Sequence, residues 1–288
     1  MSASAHGLTG QGREAPRGAA RPAEDGISVA AVICAAGSSS RMLAPRGSRS
    51  TDPSARLKKE YRLLPGSVPS LTVLSASVRA FASLPEVKVI VIAVPDDPFT
   101  GEMAARKAIH PALLRGKTAP VIFVKGGSTR RASVLNALAA LPEAFPEKEG
   151  VRRFALIHDG ARPWISPAFI RRIIAAVRRH PAVVPVLPPS ETPKETTLEL
   201  GDAFGSGRGE TVYVKNHLKR SFVGLAQTPQ AFAFPEILEL HLTAAEHERC
   251  TGAEFTDDAE IWGTFHGSVA AVPGDPRNRK ITFPEDLA

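Results

Sequence analysis

Apolar and polar positions along the chain alternate between two periods. The unbroken run Ser28-Val29-Ala30-Ala31-Val32-Ile33-Cys34 is rich in β-branched side chains and predicts a strand buried on both faces. It stops in a tight small-residue loop, Ala35-Ala36-Gly37-Ser38-Ser39-Ser40. After Pro69, the positions Leu71, Leu74, Val78 and Phe81 fall at helical spacing. A strand is predicted over Val87–Val94, a helix over 99–115, and a strand over 121–124 that ends in Gly126-Gly127. Ser128 reads as the N-cap of a helix carrying Val134, Leu135 and Leu138. A further strand over 154–157 leads into His158-Asp159-Gly160-Ala161-Arg162-Pro163, and Ser166 caps a helix through Arg179. Alternation of this kind predicts an α/β fold, a doubly wound and mostly parallel sheet. Such sheets bind ligands beyond the carboxyl ends of their strands, where Gly37, Gly126-Gly127 and Asp159 all fall. One cleft can collect them.

The alternation fails between Val183 and Val223. There Glu191-Thr192-Pro193-Lys194-Glu195 and a glycine-rich stretch over 201–209 separate short β-prone pieces such as Thr211-Val212-Tyr213-Val214. The reading is a projecting β-arm over about 188–223. An isolated hairpin is marginal in water, so a partner should cover it; a floppy insertion is the competing reading. Beyond it, a helix is predicted over 235–249 and a last strand over 268–272. Residues 1–26 lack hydrophobic periodicity and read as a disordered extension, leaving 27–288 as a single domain. Residues 43–58, rich in Pro, Ser and Arg, read as a mobile loop.

Composition narrows the function classes. The chain has 288 residues, 43% of them hydrophobic, with no apolar run long enough to cross a membrane. Cys34 and Cys250 match no metal or disulfide spacing, which fits a reducing, cytoplasmic setting. Cys34 lies inside the first strand and reads as a small buried hydrophobe rather than a nucleophile. Of the net charge of +7, residues 1–60 supply a surplus of four. No basic stripe is interleaved with aromatics, which argues against nucleic acid, and phosphorylated small molecules account for the charge at least as well.

The small-residue loop is where chemistry enters. Gly37 and its hydroxyl neighbours let the backbone approach a ligand, and successive N–H groups can form an anion-binding concavity. Arg41 follows with a guanidinium suited to phosphate. A single glycine excludes both the dinucleotide fingerprint and the P-loop. A triphosphate loop of another kind is the sharper reading.

The ordered set AAGSSSRM at 35–42, KEY at 59–61, GGSTRRASV at 126–134, HDGARP at 158–163, TPK at 192–194, TPQAF at 228–232, TDDA at 256–259 and NRKIT at 278–282 resembles the 2-C-methyl-D-erythritol 4-phosphate cytidylyltransferases of isoprenoid precursor synthesis. The resemblance implies a Rossmann-like nucleotidyltransferase fold, CTP and a polyol phosphate as ligands, and a homodimer with shared active sites held by the arm. It implies that Arg41, Lys59, Arg220 and Lys280 are catalytic cations. Ala35, Ala36, Gly37, Ser38, Gly126, Gly127, Ser133, Asp159 and Gly160 would bind CTP. Arg162, Thr228, Thr256 and Asp257 would bind the polyol phosphate. Mg²⁺ is expected mainly on CTP phosphate oxygens, with Asp159 as the candidate protein ligand. The chain departs from the family pattern at Ser39 (usually glycine), Glu191 (usually aspartate), Lys219 (usually acidic) and in the length of 43–58.

Two other readings are compatible with the residues. One is the same scaffold acting on ribitol 5-phosphate to give CDP-ribitol. The other is a basic nucleotide- or RNA-binding module without catalysis.

Overall fold

A computed structural model describes residues 26–38, 57–67, 69–115, 119–198, 200 and 211–287. Residues 1–25 of the expected extension, residues 43–56 of the expected loop, and Arg41 lie outside the described residues, while Gly26 already belongs to the first strand. The chain runs β1 (Gly26–Cys34), α1 (Val73–Ala82), β2 (Val87–Val94), α2 (Glu102–Ala108), α3 (Pro111–Leu114), β3 (Val121–Lys125), α4 (Arg130–Ala139), α5 (Leu141–Ala144), β4 (Val151–Asp159) and α6 (Pro167–Val177). It continues through β5 (Ala182–Leu187), β6 (Lys194–Thr196), β7 (Val214–His217), β8 (Leu225–Ala226), β9 (Gln230–Ala233), α7 (Glu236–Thr251), α8 (Asp258–Phe265) and β10 (Ala270–Pro273).

The main sheet has the order β10-β5-β9-β4-β1-β2-β3, with β8 paired to β5. β1 pairs in parallel with both β2 and β4, whereas β9 runs antiparallel between β4 and β5. β1 is the central strand, and its side chains alternate between two cores, as a strand's period of two demands. Val29, Ala31 and Ile33 join α1 and α6 on one face through Leu74, Val78, Phe81, Phe169 and Ile173. Ala30 and Val32 join Val134, Leu138, Phe232 and Trp262 on the other. Because α1 and α4 cover opposite faces, the connections diverge at β1 and open a crevice beyond the ends of β1 and β4.

Several local expectations are refined. Thr129, not Ser128, caps α4, its side chain accepting from the Ala132 N–H at 3.0 Å, so Ser128 stays on the cleft wall. The single helix expected over 99–115 is two short ones, α2 and α3, broken before Pro111, whose ring disfavours helical geometry in the preceding residue. β5 and β9 escaped the pattern. β9 is only four residues, and β5 carries Pro185, an unusual residue within a sheet. The arm is a two-stranded antiparallel sheet, β6 with β7, standing apart from the main one.

Two glycines set how closely the loops around the crevice pack. A Cβ on Gly126 would lie 2.3 Å from Ala36 Cβ, and one on Gly127 would lie 2.4 Å from Ala132 Cβ. Gly126→Ala must therefore push the β3–α4 turn off the end of β1. It is expected to cost about 1–3 kcal/mol, the usual range for overpacking. Urea unfolding of the two proteins measures this, and a midpoint equal to wild type would show that the loops are not held at contact distance.

Candidate active site

The crevice is a cavity of about 780 Å³ whose wall includes Ala36, Gly37, Ser38, Lys58, Lys59, Ser133, Asp159 and Lys280. Among the described residues nothing lies within 4 Å of where a Gly37 side chain would stand, and Gly37 lines the cavity. Ala35 sits behind it, buried, with its N–H bonded to the Ala93 carbonyl at 2.9 Å. Gly160 joins the ends of β1 and β4, its N–H donating to the Cys34 carbonyl at 2.9 Å. Two lysines meet the loop region from the turn that follows it. Lys58, buried, donates from Nζ to the Gly37 carbonyl, and burial lowers its pKa. Lys59 donates from Nζ to the Ile281 carbonyl at 2.9 Å, tying the turn before α1 to the segment after β10. Burial pushes the Cys34 thiol up to about 12, which leaves no thiolate at neutral pH.

Asp159 is the centre of the floor. Lys280 Nζ lies 3.0 Å and Arg162 Nε 3.4 Å from Oδ2, while Arg130 Nε lies 3.6 Å from Oδ1. Burial alone would raise this carboxyl; the charges of Lys280, Arg130 and Arg162 outweigh it and hold it well below the usual carboxylate range. The Asp159 N–H donates to Thr228 Oγ1 at 3.0 Å. Neighbouring His158 is fully buried, and burial lowers it to about 4, so it is neutral and structural. The segment carrying Lys280 is pinned on several sides. Arg162 Nη1 donates to the Asn278 carbonyl at 2.9 Å, Asn278 Nδ2 to the Thr228 carbonyl at 2.7 Å, and the Ile281 N–H to the Ala161 carbonyl at 2.8 Å. Lys280 itself is 39% exposed, anchored at one end and open to the cavity at the other.

This donor set does not suit a protein-bound metal. Both Asp159 oxygens face cations, and among the described residues no group of three or more His, Cys, Asp or Glu could hold an ion. Asp159, the protein ligand expected for Mg²⁺, has both of its oxygens turned to these cations.

On the opposite wall, Ser133 Oγ accepts from the Gly127 N–H at 3.1 Å and donates to the Thr129 carbonyl at 2.9 Å. The Gly126 N–H is taken by the Val94 carbonyl at 2.7 Å. The two glycine N–H groups therefore hold the turn's shape.

Other expected residues sit elsewhere. Thr228 is buried behind Asp159, its hydroxyl shared between the Asp159 N–H and His158 Nδ1 at 3.1 Å. Asp257 is the N-cap of α8, accepting from the Glu260 N–H at 2.8 Å and from Gln230 Nε2 at 2.9 Å. Thr256, the residue before that cap, bonds Glu260 Oε2 through both its N–H and its hydroxyl. Arg220 is exposed on a single 3₁₀ turn beside the arm, donating to the Ser190 carbonyl at 2.8 Å. None of these four lines the cavity. Conversely, Arg130 and Asp258 were unassigned although both stand inside the motifs read from the sequence. Their partnership joins positions 128 residues apart, a separation that no local pattern reveals.

The chain matches the family model described as IspD, 2-C-methyl-D-erythritol 4-phosphate cytidylyltransferase, over residues 29–288. A bifunctional enzyme IspD/IspF from Bradyrhizobium sp. (strain ORS 278) is 39% identical over 230 residues, covering 80% of this chain and 50% of that protein. One from Bartonella tribocorum is 34% identical over 91% of this chain and 55% of its own length. The chain thus spans about half the length of these curated relatives. Among solved structures, the 2-C-methyl-D-erythritol 4-phosphate cytidylyltransferase from Thermus thermophilus superposes with a TM-score of 0.58 at 27% identity, covering 90% of this chain and 95% of that one. The synthase structure from Anaerococcus prevotii reaches a TM-score of 0.63 at 23% identity, covering 91% and 96%, a likeness of fold. With the model matched from β1 through the segment that carries Lys280, the protein belongs to the 2-C-methyl-D-erythritol 4-phosphate cytidylyltransferase family.

Proposed function

We propose that this chain transfers CMP from CTP to 2-C-methyl-D-erythritol 4-phosphate, giving 4-diphosphocytidyl-2-C-methyl-D-erythritol and pyrophosphate. The observation that carries the reading is the cationic floor, where Lys280, Arg162 and Arg130 converge on one carboxylate with Lys59 on the same cavity wall. A 4-phosphate oxygen attacks the α-phosphorus of CTP; the bond from that phosphorus to the bridging oxygen breaks, and pyrophosphate departs. No covalent enzyme intermediate is needed, so the protein's share is positioning and charge stabilisation. Lys280, with one side on Asp159 and the other on the cavity, suits the space between CTP and the incoming phosphate. Mg²⁺, where it takes part, is carried on the nucleotide's own phosphate oxygens.

The base is assigned to the wall formed by Gly126, Gly127 and Ser133. Because both glycine N–H groups are engaged, backbone carbonyls are left to meet the cytosine amino group, and Ser128 is the side chain placed to meet its acceptors. The close packing at Gly126 and Gly127 supports a pyrimidine rather than a purine at this wall. Pyrophosphate release is expected to be far faster with CTP than with ATP or GTP; equal rates with GTP would refute the cytidylyl assignment. Running methylerythritol phosphate against ribitol 5-phosphate in the same assay identifies the polyol, and affinity without release would favour the non-catalytic module.

Charge stabilisation assigns the lysines. Lys59→Ala and Lys280→Ala are each expected to lower kcat by on the order of 10²–10³, the loss typical of one transition-state donor. A near-normal kcat in either variant would remove that residue from the mechanism.

The homodimer with shared sites is part of this proposal. Its support is the arm's exposed apolar side chains, Tyr213 at 66% and Phe222 at 86%, and the position of Arg220 outside its own chain's cavity. In an isologous pair, Arg220 of one protomer would complete the site holding Lys59 of its partner. Lys59→Ala and Arg220→Ala chains should each be nearly inactive alone. Co-refolded, about half the dimers are hybrid and one site in each carries neither lesion, so activity returns to roughly a quarter of wild type. Absence of recovery, with hybrids confirmed by mass, would place Arg220 in its own chain's site.

A further inference from the structure

Behind the cavity floor, Arg130 leads into buried polar groups, Asp258 and His241, that the reaction scheme does not use. Arg130, the first residue of α4, donates from Nη2 to Asp258 Oδ2 at 2.7 Å. Asp258, the first residue of α8, has a side chain only 1% exposed. Its other oxygen lies 3.3 Å from Nε2 of His241, a fully buried residue of α7. Burial opposes ionisation of Asp258, but the charge of Arg130 and the proximity of His241 bring its carboxyl down to about 2, so the ion pair persists at neutral pH. Such a pair is a poor way to gain stability, because desolvating two charges costs about what their attraction returns. Its geometry says what it does gain. Arg130 is 31% exposed, lines the cavity, and faces Asp159 Oδ1 at 3.6 Å, on the carboxylate edge that Lys280 and Arg162 do not occupy. One edge of Asp159 therefore fixes the carboxylate's rotation while the other receives Lys280.

We infer that Asp258 is a positioning residue for catalysis: it holds the Arg130 guanidinium, which holds the Asp159 carboxylate, which places Lys280. This rests on the proposed cytidylyl transfer, in which Lys280 stabilises the reacting phosphates. Asp257, by contrast, does the local work of capping α8. The adjacent Asp257-Asp258 pair thus divides between folding a helix and aligning the cleft.

The test is a double-mutant cycle on the full chain with Asp258→Asn and Arg130→Lys, read as kcat with CTP and methylerythritol phosphate and in parallel as the CTP dissociation constant. Each single variant is expected to lose roughly 10–100-fold in kcat, the scale of a misplacement of about 1 Å at the reacting centre. The double variant should be no slower than the worse single one, because both lesions cut the same line of contacts. Losses that multiply in the double variant, or an Asp258→Asn chain that melts earlier with its kcat intact, would overturn the inference. If Asp258→Asn does not fold, Asp258→Glu replaces it in the cycle, keeping the charge and shifting it by one methylene. Wild-type turnover tests the functional reading separately. Without turnover, the cycle on CTP affinity judges the positioning role by the same rule, coupled losses supporting it and additive ones refuting it.

Discussion

A carboxylate sunk among three cations is the constraint on which the site depends. Asp159 closes β4, the strand paired along its whole length with central β1, so its backbone is as fixed as any in the molecule. Around that point the protein collects Arg130 from α4, Arg162 from the turn after β4 and Lys280 from the segment after β10. One negative charge makes it tolerable to hold three positive ones close together in a partly buried place. It leaves a surplus of positive charge facing the cavity, which an anionic ligand would complete. Much of the hydrogen bonding nearby serves this cluster, from the Thr228 hydroxyl under the Asp159 N–H to the Asn278 amide on the Thr228 carbonyl.

What the sequence made legible follows from range. The run at β1 and the helical spacing of Leu74, Val78 and Phe81 are local patterns imposed by two-sided and one-sided burial, and both elements stand where expected. Gly126-Gly127 and Asp159 were placed at strand ends because the parallel alternation dictates it. β5 and β9 escaped because Pro185 interrupts the one and the other is only four residues long, enclosed between β4 and β5. Thr228, Thr256 and Asp257 sit in motifs that the resemblance associates with substrate, yet in this chain their polar atoms are engaged in shaping the turn at Asp159 and the start of α8. The role of Arg130 could not be read locally, since its partner Asp258 is brought beside it only by tertiary packing.

The arm obeys a different logic. Among the described residues β6 and β7 pair only with each other, and their strands are largely exposed. Two-stranded sheets of this size are marginal in water, so its shape is set by what it leans on. The body needs no such help, with β1 enclosed by two separate cores.

The bond from Lys59 to the Ile281 carbonyl spans 222 residues, and Lys280 beside it follows every strand of the sheet in chain order. Chains emerge from the ribosome N-terminus first, and domains fold as their residues become available. The crevice at β1 and β4 can thus take shape while the later strands are still being made. The lysine on its floor comes only after the last of them. During synthesis the groove precedes Lys280, and a nascent chain holding the groove alone has Arg130 and Arg162 beside Asp159 but not the lysine that completes the cluster.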